Sequence, residues 1–138
     1  PFITHTTIDL FCGAGGISRG LEDAGFDVAW AIDSEKKTRP TFDANHDCEM
    51  VVGDVRETGP LDIGIEPGDL DLVTGAVVTD LLVVDRSKTN SLEGQSTKTD
   101  DRHQLYEDFL RFVDHYELKA FVMKNVNGIM TTASPLRK

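Results

Sequence analysis

The sequence has few basic residues, few cysteines and no long apolar run. Only 14 of its 138 residues are Lys or Arg, against 24 Asp and Glu, and the formal net charge is −10. Binding to nucleic-acid phosphates needs a basic patch, so we do not expect this chain alone to bind DNA. No stretch approaches the length of a membrane span, and we expect no membrane association.

Cys12 and Cys48 are the only two cysteines. Their spacing fits no zinc-binding template, and a reducing compartment is the simplest setting for them. We therefore expect a cytoplasmic protein that holds no metal.

The acidic excess is spread along the chain and is not gathered in a tail. It fits either a regulatory surface that binds a partner or a solvated acidic surface of a halophilic protein, on which high salt screens the repulsion between carboxylates. We favour the salt-adapted acidic surface because the sequence contains no prominent block of like charge.

Short apolar runs alternate with amphipathic or polar stretches. Five runs have the length of a buried strand, and they lie at residues 7–11, 28–32, 50–52, 70–74 and 120–123. Strands that alternate with helices predict an α/β fold with a parallel sheet and flanking helices. The polar residues 85–99 predict a long loop.

Three segments have the apolar spacing of helices. Two are short, at 16–24 and 36–44, and Pro40 is expected in the first turns or at a kink of the second. The best pattern covers 101–115, with the aspartates at 100–101 expected at its start, where the helix dipole favours negative charge. Its apolar face is formed by Leu105, Phe109, Phe112 and Val113.

The stretch "DLFCGAGGISRGL" at 9–21 carries three glycines in four positions, between a predicted strand and a helix. Such bare backbone lets a ligand approach main-chain N–H groups near a helix N-terminus. Ser18 replaces the third glycine of the dinucleotide fingerprint, so that pattern fails. Asp33 and Asp54 end the next two predicted strands, as expected for a nucleoside pocket. The alternative is a tight turn with solvated aspartates; we favour the pocket.

Beyond these patterns, the sequence resembles the front half of the cytosine-5 DNA methyltransferases, which use S-adenosylmethionine. The resemblance rests on "IDLFCGAGGISRGLEDAGF", "VAWAID", "VVGDV", "DLDLVTG", "DDRHQLYEDFLRFVDHY" and "KAFVMKNVNGIM". It implies a Rossmann-like methyltransferase fold with a truncated parallel sheet. It also implies a cofactor-binding set, comprising Phe11, Gly13, Ala14, Gly15, Gly16, Asp33, Ser34, Asp54 and Val55.

The resemblance assigns parts to this set. Phe11 and the glycines would line the methionine and adenosine side. Asp33 would hold the ribose, Ser34 would lie against the adenine, and Asp54 with the Val55 amide would read the adenine edge.

The family's two catalytic elements are altered. The family attacks cytosine with a cysteine thiolate in a Pro-Cys dipeptide, and a glutamate in Glu-Asn-Val protonates the ring. Alignment on this pattern puts Val78 on the proline, Thr79 on the cysteine and Asp80 on the glutamine, and it puts Lys124 on the glutamate. An alcohol is far less acidic than a thiol, and an ammonium group is poorly matched to the acid's task. We therefore expect no catalytic residue; an alternative active site at Thr79 and Lys124 has no evident partner residues.

The resemblance also implies what lies outside this sequence. Family members continue with two more strands, a target-recognition domain and a C-terminal helix, so we expect 1–138 to be a single methyltransferase-like domain without the target-recognition domain. The predicted strand at 120–123 would then have an open edge, which invites pairing. We expect a homo-oligomer or a complementary methyltransferase polypeptide as partner, with DNA reached only through it.

Three functions remain open on this basis. The first is a non-catalytic domain that binds S-adenosylmethionine and acts as a partner or regulatory protein. The second is half of a split methyltransferase, and the third is a decayed fragment without function. We favour the first, because Thr79 and Lys124 lie in the half that is present.

Overall fold

A sheet lies at the centre of the fold, and the described part of the chain contributes five parallel strands to it. The computed structural model describes residues 3–77, 96–118 and 120–124, with the backbone alone for 96–104. The strands are β1 (Thr6–Leu10), β2 (Asp27–Asp33), β3 (Met50–Val52), β4 (Leu72–Ala76) and β5 (Phe121–Lys124). Their order is β3-β2-β1-β4-β5, and every neighbouring pair is parallel. This confirms the predicted α/β architecture.

In the described ranges, three α-helices flank the sheet: α1 (Gly16–Asp23), α2 (Arg39–Asn45) and α3 (Ser96–His115). Single 3-10 turns occur at Lys36–Thr38 and Pro60–Asp62. Pro40 lies in the first turn of α2, as predicted, where its missing N–H costs no helical hydrogen bond. Within the described ranges, no helix combines the length and apolar character needed to cross a bilayer.

The beginning of α3 corrects the sequence prediction. The loop predicted over 85–99 is wrong for its last four residues, because α3 begins at Ser96; residues 85–95 lie outside the described ranges. The two aspartates at 100–101 therefore do not start the helix. Residues 96–100 contain no apolar side chain, so apolar periodicity carries no signal for this first turn.

The apolar core lies between the sheet and α3. Phe109 and Phe112 of α3 are fully buried against Ile8 and Leu10 of β1. Val113 is also buried and Leu105 partly so, which confirms the predicted apolar face.

The other face of β1 is polar and lies beneath α1. Asp9 is fully buried, and its Oδ2 accepts a hydrogen bond of 2.6 Å from the Ser18 hydroxyl. Thr74 of β4 donates its hydroxyl to the Ile8 carbonyl at 3.2 Å and approaches Asp9 Oδ1 at 3.4 Å. Burial raises the pKa of the Asp9 carboxyl from 3.8 to about 6, although the bonds from Ser18 and Thr74 act to lower it. This network joins β1, β4 and the start of α1 beneath the glycine turn.

Replacing Asp9 by Asn should make stability less dependent on pH. Folded Asp9 keeps its proton up to about pH 6, whereas the unfolded chain releases it near 3.8. The stability from this proton is complete below the unfolded pKa and is lost as the pH rises through about 6. A shift of about two pKa units corresponds to about 3 kcal/mol. Urea unfolding should therefore show wild type losing about this much relative to Asp9→Asn between about pH 4 and pH 7.

Asp23→Asn on α1 is the matched control, because the Asp23 carboxylate is 61% exposed and pairs with Arg19 on the surface. This change should alter the free energy of unfolding by less than about 0.5 kcal/mol at both pH values. Equal pH dependence in wild type and Asp9→Asn would contradict the raised pKa of Asp9.

Candidate cofactor-binding site

The carboxyl ends of β1, β2 and β3 lie side by side at one edge of the sheet. The three strands are parallel neighbours, so the turns that follow them share this edge. It is the edge at which ligands bind in open α/β sheets.

The turn after β1 has an unusual backbone. Phe11, Gly13 and Gly15 all have positive φ, at 57°, 55° and 95°. This region is costly for a bulky residue such as Phe11, and such strain clusters at functional sites. The turn therefore depends on glycine at two positions and holds Phe11 in a sparsely populated conformation.

Gly15 is also required by a close contact below the turn. A Cβ atom on Gly15 would overlap the His46 imidazole. That ring packs on Phe42 with centroids 4.3 Å apart, and its Nδ1 lies 3.0 Å from Glu22 Oε2 at the end of α1. His46 and Glu22 thus support the turn from beneath.

Asp33, the last residue of β2, ties the turn to the next strand. Its Oδ2 accepts a hydrogen bond of 2.8 Å from the Gly13 amide, and its Oδ1 accepts one of 2.8 Å from the Glu35 amide. Each carboxylate oxygen has a second lone pair. Asp33 can therefore hold the turn and still accept a hydrogen bond from a ligand.

Asp54 follows β3 and is bound by a nearby arginine. Arg56 donates its backbone N–H and Nε to Oδ1, at 2.9 and 3.0 Å. It also donates Nε and Nη2 to Oδ2, at 3.0 and 2.6 Å. The hydrogen bond and charge of Arg56 lower the pKa of the Asp54 carboxyl, which keeps it ionised. A ligand amine therefore competes with Arg56 for this carboxylate.

These elements surround a cavity of about 240 Å³. Five of the nine predicted residues line it, and they are Phe11, Asp33, Ser34, Asp54 and Val55. The residues 13–16 of the turn are not in its lining.

Gly53, Arg56 and Leu105 also line the cavity, and sequence reasoning did not assign them to the site. Leu105 was expected only in the apolar face of α3. The position of Arg56 two residues after Asp54 was a usable signal, because an arginine so placed can fold back on the carboxylate.

Besides the core under α3, the structure has a smaller apolar cluster that contains both cysteines, and neither cysteine lines the cavity. Cys12 packs with Phe42 and Met50, and Cys48 lies against the same cluster. Burial, with Asp9 and Asp33 adding to it, raises the pKa of the Cys12 thiol far above its usual range. Burial, with Glu22 adding to it, raises the pKa of Cys48 to about 11. Neither is a thiolate at neutral pH, so neither supplies an activated nucleophile.

Of the residues aligned with the family's catalytic positions, only Lys124 is described. It ends β5 beside Ala76 of β4, and its side chain is exposed. Val78, Thr79 and Asp80 lie outside the described ranges. Over the ranges that are described, no group of three or more His, Cys, Asp or Glu residues is placed to hold a metal ion.

Both a protein family model and individual methyltransferases match this chain over most of its length. The family model for C-5 cytosine-specific DNA methylase matches residues 5–135. The type II methyltransferase M.AgeI of Thalassovita gelatinovora is 36% identical over 130 residues, covering 91% of this chain and 28% of that protein. M.DdeI of Desulfomicrobium norvegicum is 32% identical over 132 residues, covering 95% of this chain and 30% of that protein. The chain thus spans less than a third of the length of these curated relatives.

Solved structures agree on the fold. A prophage-encoded Escherichia coli protein described as a DNA modification methyltransferase superposes with a TM-score of 0.68 at 28% identity, covering 92% of this chain and 33% of that one. The Dnmt2 methyltransferase of S. pombe superposes with a TM-score of 0.67 at 18% identity, covering 94% of this chain and 38% of that one. The fold is therefore that of a methyltransferase, and the extent of the family match shows that this chain belongs to the C-5 cytosine-specific DNA methylases.

Proposed function

We propose that this chain is a non-catalytic domain of the DNA methylase family that binds S-adenosylmethionine and acts as a partner or regulatory protein. The observation that carries the proposal is the cavity at the carboxyl ends of β1, β2 and β3. Asp33 and Asp54 line it together with the apolar side chains of Phe11 and Leu105.

The chemistry of this lining suits an adenosine group. Ribose hydroxyls and an exocyclic amine are donors for the two carboxylates, while the flat ring packs against Phe11 and Leu105. The volume of about 240 Å³ lies just below the roughly 300–1,000 Å³ of small-molecule pockets. It fits a nucleoside and leaves the methionine group to lie along the glycine turn.

The absence of catalysis is proposed from the residues at the family's catalytic positions. Bound S-adenosylmethionine supplies an electrophilic methyl group, but cytosine must first be activated by a covalent nucleophile. Thr79 stands where the family has its cysteine, and Lys124 where it has its glutamate. Cys12 and Cys48 are no replacement, because burial raises the pKa of both thiols.

Calorimetry with S-adenosylmethionine tests the proposal. Wild type should bind the ligand, and Asp33→Asn should weaken binding about tenfold or more, because a hydrogen bond to a charged group is lost. Incubation with DNA and labelled S-adenosylmethionine should leave the DNA unlabelled.

Asp27→Asn is the matched control. Asp27 is the first residue of β2, is exposed, and lies at the opposite end of this strand from Asp33. Its affinity should stay within about twofold of wild type. If wild type does not bind S-adenosylmethionine in the titration, the proposed function fails and a decayed fragment without function is favoured. If the DNA becomes labelled, the proposal that this chain is non-catalytic is wrong.

A second candidate, half of a split methyltransferase, is favoured by the edge that β5 forms in the described part of the sheet. In the described part of the chain β5 is an edge strand, and Phe121 and Val122 on it are 41% and 49% exposed. Apolar open edges invite pairing with another chain. We propose that a second copy or a complementary polypeptide pairs there, and that DNA is bound only through such a partner.

Light scattering at micromolar concentration tests this pairing. Wild type should be larger than a monomer, and Val122→Lys should shift it to monomer, because an edge lysine opposes strand pairing. Leu61→Lys is the matched control, since Leu61 is 84% exposed but lies in a 3-10 turn, and it should leave the assembly unchanged. A monomeric wild type would count against self-association through β5, and an unchanged assembly in Val122→Lys would exclude this edge as the interface.

A further inference from the structure

The segment that follows β3 forms a compact turn at the cavity. The Asp54 carbonyl accepts hydrogen bonds from the amides of Glu57 and Thr58, at 3.0 and 3.1 Å. Arg56 closes the same segment by binding the Asp54 side chain. These bonds are all local, so they shape residues 54–58 but do not determine where the turn lies relative to the cavity.

Arg111 of α3 makes a long-range contact with this turn. Its Nη2 donates a hydrogen bond of 2.8 Å to the Val55 carbonyl and one of 3.2 Å to the Thr58 carbonyl. The two carbonyls lie near opposite ends of the turn, so one guanidinium nitrogen spans it. The partners are 56 and 53 residues from Arg111 along the chain.

The guanidinium is itself held on α3. Nη2 lies 3.6 Å from Asp108 Oδ1, one helical turn earlier, and the guanidinium carbon lies 5.7 Å from the ring centroid of fully buried Phe112. Val55 is 2% exposed and belongs to the same apolar cluster as Phe112. The turn is thus attached to α3 by packing and by two directed hydrogen bonds.

The same helix supplies part of the cavity wall. Leu105 precedes Arg111 by six residues on α3 and lines the cavity opened by Asp54 and Val55. One helix therefore determines the position of an apolar wall and, through Arg111, of the polar turn that lines the same space.

We propose that Arg111 is a positioning residue for recognition of the adenine edge: it does not contact the ligand, but it holds the Val55 backbone and the Asp54 carboxylate in register with the base. The proposal rests on the proposed function of the cavity. An adenine edge presents an amine donor and a ring-nitrogen acceptor, which match the Asp54 carboxylate and the Val55 N–H. Hypoxanthine reverses both groups, so a correctly placed turn discriminates between the two bases.

The test compares binding of S-adenosylhomocysteine and S-inosylhomocysteine by calorimetry. Wild type should prefer the adenosyl ligand by about tenfold or more, because the inosyl edge leaves polar groups unpaired. Arg111→Met should reduce this preference to within about threefold, chiefly by weakening the adenosyl ligand, since Asp33 and the ribose are unaffected. Arg111→Lys keeps a donor and the charge, so it should retain an intermediate preference.

Arg19→Met is the matched control, because Arg19 on α1 is 63% exposed and pairs with Asp23 on the surface; it should keep the full preference. Thermal melts of every variant separate lost folding from lost recognition, and Arg111→Lys carries the test if Arg111→Met does not fold. An unchanged preference in both Arg111 variants, even with both ligands weakened, would reduce Arg111 to a structural residue and overturn the inference.

Wild-type behaviour separates this inference from the function on which it rests. If wild type binds neither ligand, the proposed function fails and the inference fails with it. If wild type binds both ligands equally, cofactor binding stands while edge recognition, and with it the role of Arg111, is refuted.

Discussion

The hydrogen bond from the Gly13 amide to the Asp33 carboxylate joins the ends of two neighbouring strands, and the shape of the cavity depends on it. The bond can form only because the chain after β1 turns through positive φ at Phe11, Gly13 and Gly15. This backbone brings the turn back over the end of β2 without side chains between them. One carboxylate thereby holds the turn in place and lines the cavity beside it.

The two faces of the sheet support this arrangement by different means. On the α3 face, Phe109 and Phe112 pack with residues of β1 in an apolar core, and this packing fixes the position of α3 on the sheet. On the α1 face, the buried contact between Asp9 and Ser18 directs the start of α1 through a hydrogen bond. A buried polar network is costly unless its members are paired, so it specifies one geometry more strictly than apolar packing does. The turn lies between these two supports.

The sequence predicted the elements well where local pattern and tertiary environment agree. The 50–52 strand was predicted with its observed bounds, whereas the strand predicted at 70–74 is displaced to Leu72–Ala76. The apolar run does not reveal where pairing with β1 begins, and that pairing sets the strand's position. Helix α3 was identified by its apolar face, but its first turn has no such face and was missed.

Some residues of the candidate site could likewise be predicted from the sequence, and others could not. Asp33 and Asp54 could be predicted for this site because Asp33 ends β2 and Asp54 follows β3 in a parallel sheet, which places both at one edge. Arg111 and Asp9 were not found, since their roles depend on contacts with residues distant along the chain. An aspartate between Ile8 and Leu10 was the one available signal, because a charge inside an apolar strand is rarely tolerated without a partner.

The central claim is that the space beside the glycine turn is an adenosine site retained in a chain whose catalytic positions have changed. A crystal structure of the chain with saturating S-adenosylhomocysteine tests it most directly. The account predicts adenosine density between Phe11 and Leu105, with a ribose hydroxyl in hydrogen-bond contact with Asp33. Density for the ligand elsewhere, or protein side chains filling the cavity at saturation, would contradict it.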